Sequence, residues 1–459
     1  MIHEMLTLVP RRDDLIVAGD RRLSTDEVMA WAAQAAATLE AGQPTAFQLP
    51  TGPEGVVAYR ACWQAGAVAV PLLQSDEGRQ RSHAFATLGI NRLLNPSEHP
   101  AEYPAGGEAS PRRSTQDRPD DRALIMFTSG SSGVPKGVVH TQAALAYKTR
   151  QTIAIQEFTP DDAGLFPASL AHVAGLLHGV LIPGAASIKT VLMSRWDPAE
   201  ALRLIEQEQI TYMVGPPTFF NDLMGHPDFS PSRTASLRLL SIGGSSIPPA
   251  FVNRARDAFG CVVKRAYGST EAPTATTCTI GDDPERMANT DGRPFAPTQI
   301  RVDEHGEIQI HGPEVTVGYL DPAHTAAAFT EDGWFRTRDL GRLDADGYLT
   351  VIGRLGQKII RGGENIDAIE VEAILESHPA VSQAVVLGEP DDRLGERVAA
   401  FVVADGSFDL DECRRWFAEA GAARFMTPER LIAIAEMPTM PSGKPDRADL
   451  AEKLRDPTR

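Results

Sequence analysis

Cysteine is scarce in this chain. Cys62, Cys261, Cys278 and Cys413 are widely spaced, with no Cys-x-x-Cys pair and no histidine cluster beside them. That excludes a disulfide framework or a structural zinc site as the basis of the fold. Positive charge is also in deficit: 44 Lys and Arg stand against 61 Asp and Glu, a net −17 over 459 residues. A field of that sign repels polyanions and excludes general binding to nucleic acid or to an anionic membrane. A small anion is still bindable, because a few backbone N–H groups and one lysine suffice for it. Long apolar runs are missing too. The N-terminus carries Glu4 and no apolar stretch of signal-peptide length. Ala163 to Ile188 holds no Asp, Glu, Lys or Arg, but Pro167, Pro183, His172, His178 and four glycines interrupt it. It reads as buried core segments with a loop between them rather than a membrane span. No internal repeat and no low-complexity tract is present, and a cytoplasmic location is expected.

What is present is 42% apolar and 23% charged residues, the composition of an ordinary globular protein with enough apolar material to offset chain entropy. Ser24-Thr25-Asp26-Glu27 is a capping box opening an Ala-rich helix to about Glu40, and a second helix is expected over about 54–64. Val68 to Leu72 and Ala123 to Phe127 read as buried strands, and residues 101–120 as a surface loop. Helix and strand signals keep alternating to about residue 270, which predicts a large α/β region. After Asp291 the period changes. Gln299-Ile300-Arg301-Val302 and Glu307 to His311 alternate at period 2, marking a smaller β-rich portion. Beyond Gly353 a compact unit follows: helix 368–377, strands 382–387 and 397–403, helix 409–420, and a strand near 431–434. The expected fold is α/β: a large N-terminal domain of several subdomains over 1–353, a hinge at 354–357, and a small α+β domain over 358–459.

The strongest local feature is Thr128-Ser129-Gly130-Ser131-Ser132-Gly133-Val134-Pro135-Lys136-Gly137, directly after a buried strand. Small residues let successive N–H groups converge on an anion, hydroxyls add donors and Lys136 adds charge. The spacing is not that of a Walker loop, since Pro135 stands where glycine is required and Gly137 follows the lysine. A Walker-type ATPase or kinase is thereby excluded. A plain Ser/Gly hairpin has no need of Pro-Lys-Gly, which favours phosphate binding.

Further segments follow in order: Tyr267-Gly268-Ser269-Thr270-Glu271; Gly306-Glu307-Ile308 through Gly318-Tyr319-Leu320; Trp334 through Arg336-Thr337-Arg338-Asp339-Leu340; Gly353-Arg354 through Gly362-Gly363-Glu364-Asn365; and Pro441-Ser442-Gly443-Lys444-Pro445-Asp446-Arg447. With the glycine-rich loop they resemble the signature motifs of the adenylate-forming superfamily, which includes acyl- and aryl-CoA ligases, peptide-synthetase adenylation domains and luciferases. The resemblance runs from Thr128 to Arg447; the residues before it match only in general pattern.

The resemblance implies a two-step reaction. A carboxylate attacks the α-phosphate of ATP, pyrophosphate leaves, and a thiol, usually that of coenzyme A, displaces AMP from the acyl-adenylate. Two anions meet in the first step, so charge neutralisation is the main requirement. The 128–137 loop would hold the β/γ-phosphates, Glu271 would hold Mg²⁺ and Thr270 would donate to the α-phosphate. Tyr267 and Gly268 would face the adenine, opposite Gly243-Gly244-Ser245-Ser246. Asp339 would accept the ribose hydroxyls, Arg354 would assist at ribose or phosphate, and His172 would gate the acyl pocket. Lys444 would be the adenylation lysine, delivered by a mobile C-terminal domain, and the loop with Gly362 and Gly363 would replace it to line the thiol channel. Locally, each of these residues also has a plain reading: a solvated loop carboxylate for Glu271, a turn cap for Asp339, a surface ion pair for Arg354, a core histidine for His172 and a solvated lysine for Lys444.

The chain departs from the family pattern at Arg338, where glycine is usual, at Gly356-Gln357, where a charged hinge pair is usual, and at Asp291, where an apolar residue is commoner. The expected activity is that of an acyl- or aryl-CoA ligase using ATP, Mg²⁺ and CoA on a small carboxylic acid. Alternatives are loading of a carrier protein, diazotase-like activation of an oxyanion such as nitrite for attack by an amine, and a non-catalytic binding protein, the last disfavoured by retention of Lys136, Glu271, Asp339 and Lys444. The oligomeric state, monomer or homodimer, is left open.

Overall fold

The computed structural model describes residues 1–74, 79–96, 121–128, 135–245, 247–355, 358–361, 364–391, 393–406, 408–440 and 444–455. Among these, the β-structure forms four sheets. The largest has eight strands, with Thr276–Thr277 at one edge, then Val262–Tyr267, Leu239–Gly243, Tyr212–Gly215, Ala163–Phe166, Lys189–Leu192, Ile16–Ala18 and Arg21–Leu23. The inner strands pair parallel, and the two edge pairs are antiparallel. Parallel strands covered on both faces need continuous apolar runs, and Leu239, Leu240, Ser241 and Ile242 are all buried. A second sheet orders Gly318–Tyr319, Lys136–Thr141, Arg122–Thr128, Val68–Pro71 and Pro44–Phe47. One buried core that includes Val57, Tyr59, Leu145, Leu181 and Tyr212 joins helices to both.

The period-2 residues after Asp291 build an antiparallel sheet of Gln299–Val302, Glu307–His311, Phe335–Leu343 and Leu349–Arg354. The fourth sheet contains Glu364–Asp367, Lys358–Arg361, Gly395–Ala404, Val381–Asp391 and Arg430–Ala433, with the helices Ala368–Glu376 and Leu410–Glu419. It has its own core around Val371, Leu375, Val386, Val398 and Phe417. Between Arg354 and Lys358 the chain passes from the third sheet to the fourth.

The capping box forms as expected: Ser24 Oγ accepts from Glu27 N–H and Glu27 accepts from Ser24 N–H at 2.8 Å. The helix stops at Ala36, short of Glu40, because Thr38 turns back and donates its hydroxyl to the Ala35 carbonyl. The strand expected to end at 387 continues to Asp391. Gly388 and Pro390 suggest an end, but the hairpin with Gly395–Ala404 runs through them, and Glu389 is clamped by Arg397 and Arg430. The apolar stretch after Ala163 becomes a strand, a short helix, a π-helical turn Leu177–Leu181 and the helix Ile182–Ala186 begun by Pro183. No described helix is long and apolar enough to cross a membrane. The 101–120 segment lies outside the described residues.

Candidate active site

Ligands of open parallel sheets bind beyond the carboxyl ends of the strands, and the motif residues collect there. Leu239–Gly243 ends into Gly244 and Ser245, Val262–Tyr267 ends into Gly268 to Glu271, and Ala163–Phe166 leads to His172. Gly268 is required sterically, since a Cβ there would lie 2.4 Å from Thr274 N and 2.8 Å from Ala272 O. The turn it permits is tied by Ser269 N–H to Ala272 O at 3.1 Å.

Two tyrosines hold the two acids of the site. Tyr267 donates its hydroxyl to Asp339 Oδ2 at 2.8 Å, and Arg354 Nε lies 3.5 Å from Oδ1. Asp339 and Arg354 face each other in register on neighbouring strands, so a β-ladder sets their separation. Burial raises the Asp339 pKa, against Arg354 and Tyr267, which hold it down. Burial, then the charge of Asp339, pushes the Tyr267 phenol well above its ordinary value, so it remains a donor. Tyr319 donates to Glu271 Oε1 at 2.8 Å, and its phenol is likewise raised by burial and by Glu271. Tyr319 reaches Glu271 because Gly318–Tyr319 pairs with Val139 and Val138 of the hairpin strand. The Lys136 ammonium sits 5.8 Å from the Tyr319 ring centre. Behind them, buried His140, kept neutral by desolvation, has Nε2 2.7 Å from the Thr270 carbonyl.

Thr128 and Lys136 pair directly at the base of the hairpin. The tip, Ser129 to Val134 with Gly130, Ser131, Ser132 and Gly133, lies outside the described residues, as do Ser246, Gly356, Gln357, Gly362 and Gly363. Lys444, more than a hundred positions beyond Asp339, arrives at the same place. Gly244 has φ +88, and a Cβ there would lie 3.0 Å from Lys444 Cε and 3.6 Å from Nζ. Among the described residues no hydrogen bond or ion pair holds that ammonium. The side chain keeps solvent access, but its crowding in the cleft and then Arg354 lower its pKa, against Asp339, which raises it. Met440 N–H donates to the Lys444 carbonyl at 2.7 Å.

His172 is the N-cap residue of the short helix Val173–Leu176. Its Nε2 is buried without a partner. Desolvation, then the nearby Lys444 charge, brings its pKa down to about 4. His178, in the π-helical turn, stacks on Phe166, has an unpartnered Nδ1, and is pushed by burial to about 4. The Leu170 carbonyl before His172 accepts from Tyr59 OH at 2.7 Å.

The departures have structural outcomes. Arg338 is exposed and sits at φ +62; the backbone between Thr337 and Asp339 must be left-handed, which explains a preference for glycine there. Asp291 is buried, and its Oδ2 accepts from Val351 N–H at 2.8 Å. Burial raises its pKa. Tyr319 was not singled out by sequence reasoning as a partner of Glu271; its only signal was its place in the Gly-Tyr pair. The buried Lys148–Glu314 ion pair, 3.3 Å, was also missed. Lys148 further donates to the Thr274 carbonyl at 3.0 Å, bracing the turn behind Glu271.

The arrangement fits a magnesium nucleotide. Asp339 offers paired acceptor oxygens, and Glu271 presents a carboxylate already oriented by Tyr319. Among the described residues no group of three or more His, Cys, Asp or Glu forms a preformed metal cage. Mg²⁺ usually takes one or two carboxylates together with substrate phosphates, and Glu271 offers one carboxylate.

Comparison with known proteins gives a consistent picture. The AMP-binding enzyme model matches residues 8–320, and the AMP-binding enzyme C-terminal domain model matches 370–444. A medium-chain fatty-acid–CoA ligase of Escherichia coli (strain K12) is 33% identical over 455 residues, covering 88% of this chain and 80% of that protein. A feruloyl-CoA synthase of Amycolatopsis sp is 34% identical over 436 residues, covering 89% of this chain and 88% of that protein. The structure of o-succinylbenzoate coenzyme A synthetase from Bacillus subtilis, in complex with ATP and magnesium ion, superposes with TM-score 0.82 at 25% identity, covering 99% of each chain.

Proposed function

The chain belongs to the AMP-binding enzyme family and is an AMP-forming acid–thiol ligase that uses ATP, Mg²⁺ and coenzyme A; from that premise we propose how its own residues divide the work and which acid they favour. Asp339, with Tyr267 and Arg354, holds the ribose. Tyr267 and the Gly243–Ser245 segment flank the adenine. Lys136 and the loop before it hold the outer phosphates, Thr270 donates to the α-phosphate, and Glu271, oriented by Tyr319, holds magnesium. The magnesium ion supplies charge neutralisation on the phosphates. Lys444 sits where the acid carboxylate and the α-phosphate meet, and its ammonium offsets the repulsion between two anions. The hinge lies at 354–357, and its swing exchanges Lys444 for the Gly362-Gly363 loop before the thiol attacks. The proposed compartment is the cytoplasm.

The observation that carries this reading is the convergence of Lys444 on Gly244, Asp339, Arg354 and His172 across the two parts of the chain. The acid we propose is a monocarboxylate with an apolar body, aliphatic or aryl. His172 and His178 are neutral, and Phe166 and Leu177 beside them are buried and apolar. A second carboxylate would find no fixed cation among these groups. The two relatives above, each covering most of the chain, are CoA ligases, which favours coenzyme A over a carrier protein or nitrite activation.

The test is product mass after incubation with ATP, Mg²⁺, CoA and a panel of octanoate, ferulate, malonate and nitrite plus an amine. Octanoyl- or feruloyl-CoA with AMP is expected. Turnover confined to malonate would reject the acid class, and an amine adduct with no thioester would reject the acceptor.

A further inference from the structure

A cavity of about 260 Å³ opens between the helices Ile2–Thr7, Thr25–Ala36 and Pro53–Ala65. None of its lining residues belongs to the site described above. Leu6, Met29 and Ala33 give it apolar walls, His3 and Gln64 contribute polar atoms, and Arg60 lines it from within the helix Pro53–Ala65. Arg60 is only 6% exposed. Its Nη1 donates to the Leu6 carbonyl at a long 3.3 Å, and its Nε is buried with no partner. A Cβ added at Gly184 would lie 2.6 Å from Nη2, so the guanidinium lies close against the helix Ile182–Ala186.

Among the described residues no Asp or Glu lines this cavity. Burial lowers the Arg60 pKa only to about 10, so the group is a cation at neutral pH. A buried charge without a counter-charge is costly. The contrast within the molecule is Lys148, equally buried, which faces the Glu314 carboxylate at 3.3 Å. One carbonyl also leaves most of the five-donor guanidinium fork unused. In a chain of net charge −17, the missing acid next to an apolar cavity points to an anion supplied from outside. Its apolar walls exclude a bare, strongly hydrated ion as the best fit.

We propose that this cavity binds a small monocarboxylate with an apolar body, its head on the Arg60 guanidinium and its tail along Met29 and Ala33. The site is separate from the adenylation cleft, and the inference does not rest on the catalytic assignment. The alternative is that Arg60 only caps the C-terminal end of the helix Ile2–Thr7, in which case no ligand binds.

The test uses the full chain with its cleft first filled by octanoyl-sulfamoyladenosine, a mimic of an acyl-adenylate. Octanoate is then titrated calorimetrically to about 10 mM, with thermal stabilisation as a second readout. One further equivalent is expected in the wild type, weakened at least ~10-fold in Arg60→Met, which loses a charge-assisted pair. Ala33→Phe, which fills the cavity and leaves the guanidinium, should abolish it. Inorganic phosphate should bind at least ~10-fold more weakly than octanoate, lacking the apolar contact. Absence of a further equivalent in the wild type, or undiminished binding in Ala33→Phe, overturns the proposal, and so does phosphate binding as tight as octanoate. If Arg60→Met does not fold, Ala33→Phe decides alone. If the mimic fails to occupy the cleft, the proposed function is what fails, and the Ala33→Phe comparison still reads this cavity.

Discussion

The two sides of the cleft are built on opposite principles. On the side we propose for the nucleotide, three polar groups already have partners: Tyr267 holds Asp339, Tyr319 holds Glu271, and His140 meets the Thr270 carbonyl. On the side we propose for the acyl group, two buried ring nitrogens lack partners, Nε2 of His172 and Nδ1 of His178. A fixed cosubstrate rewards rigid donors and acceptors set in advance, because no reorganisation is then needed when charge develops. An apolar acid makes no such demand. There, neutral rings that accept burial are enough, and the surrounding shape decides what fits. Lys444 stands between the two sides and belongs to neither, since it comes from the small C-terminal part.

The largest expected effect breaks the comparison at that bridging residue. Lys444→Ala should lower acid-dependent pyrophosphate release at least ~100-fold, the scale of one lost electrostatic donor in a cleft. CoA-dependent consumption of a supplied acyl-adenylate should fall much less. Equal loss in both half-reactions would mean that Lys444 is not specific to adenylation.

Next, Glu271→Gln keeps size and removes charge on the paired side. Loss of a charged contact corresponds to roughly 10–100-fold slower adenylation at limiting Mg²⁺, recovered in part by raising Mg²⁺, with an unchanged circular dichroism spectrum. A magnesium titration identical to wild type would leave Glu271 as a loop carboxylate merely held by Tyr319.

The unpaired side should show itself as acid lability. His178 is about 5% exposed and neutral down to about pH 4, against an ordinary value of 6.5. Below 6.5 the unfolded chain binds a proton that the folded chain refuses, so stability falls as pH drops from about 6.5 towards 4 and is fully present above it. The slope from one such histidine is at most ~1.4 kcal/mol per pH unit. His178→Met should flatten denaturant-measured stability across that window. An unchanged slope would show that the folded-state histidine is protonated after all.

The smallest effect sharpens the paired side. Arg338 is held at φ +62 by the strands that align Asp339 with Arg354. Arg338→Gly should stabilise the fold by about 1 kcal/mol, relieving a left-handed backbone at a branched-chain-free position. Destabilisation in chemical melts would indicate that the arginine side chain makes a stabilising contact.

Much of the architecture was legible in the sequence. The capping box at Ser24, the apolar run at Leu239 to Ile242 and the period-2 segments after Asp291 each express a local rule, and each appears where the rule puts it. The rule failed at Gly388 and Pro390, where ladder pairing and the Glu389 clamp overrode two breaker residues. It also could not resolve Ala163 to Ile188, because a stretch without a charged residue has no polar/apolar period to distinguish a strand, a π-helical turn and a helix.

The sequence by itself determined the kinds of groups available and their order: a lysine in a glycine-rich hairpin, a Tyr-Gly-x-Thr-Glu turn, an aspartate after Arg-Thr-Arg, and a lysine near the C-terminus. These are short-range patterns, and short-range patterns survive in a string of letters. Only the tertiary structure decided that Tyr319 would orient Glu271, that Lys444 would rest against Gly244, that Lys148 would find Glu314, and that Arg60 would be buried without an acid. Each of those depends on contacts between residues distant in the chain. What such a contact is worth is set by burial and by the other charges nearby, quantities that do not exist until the chain has folded.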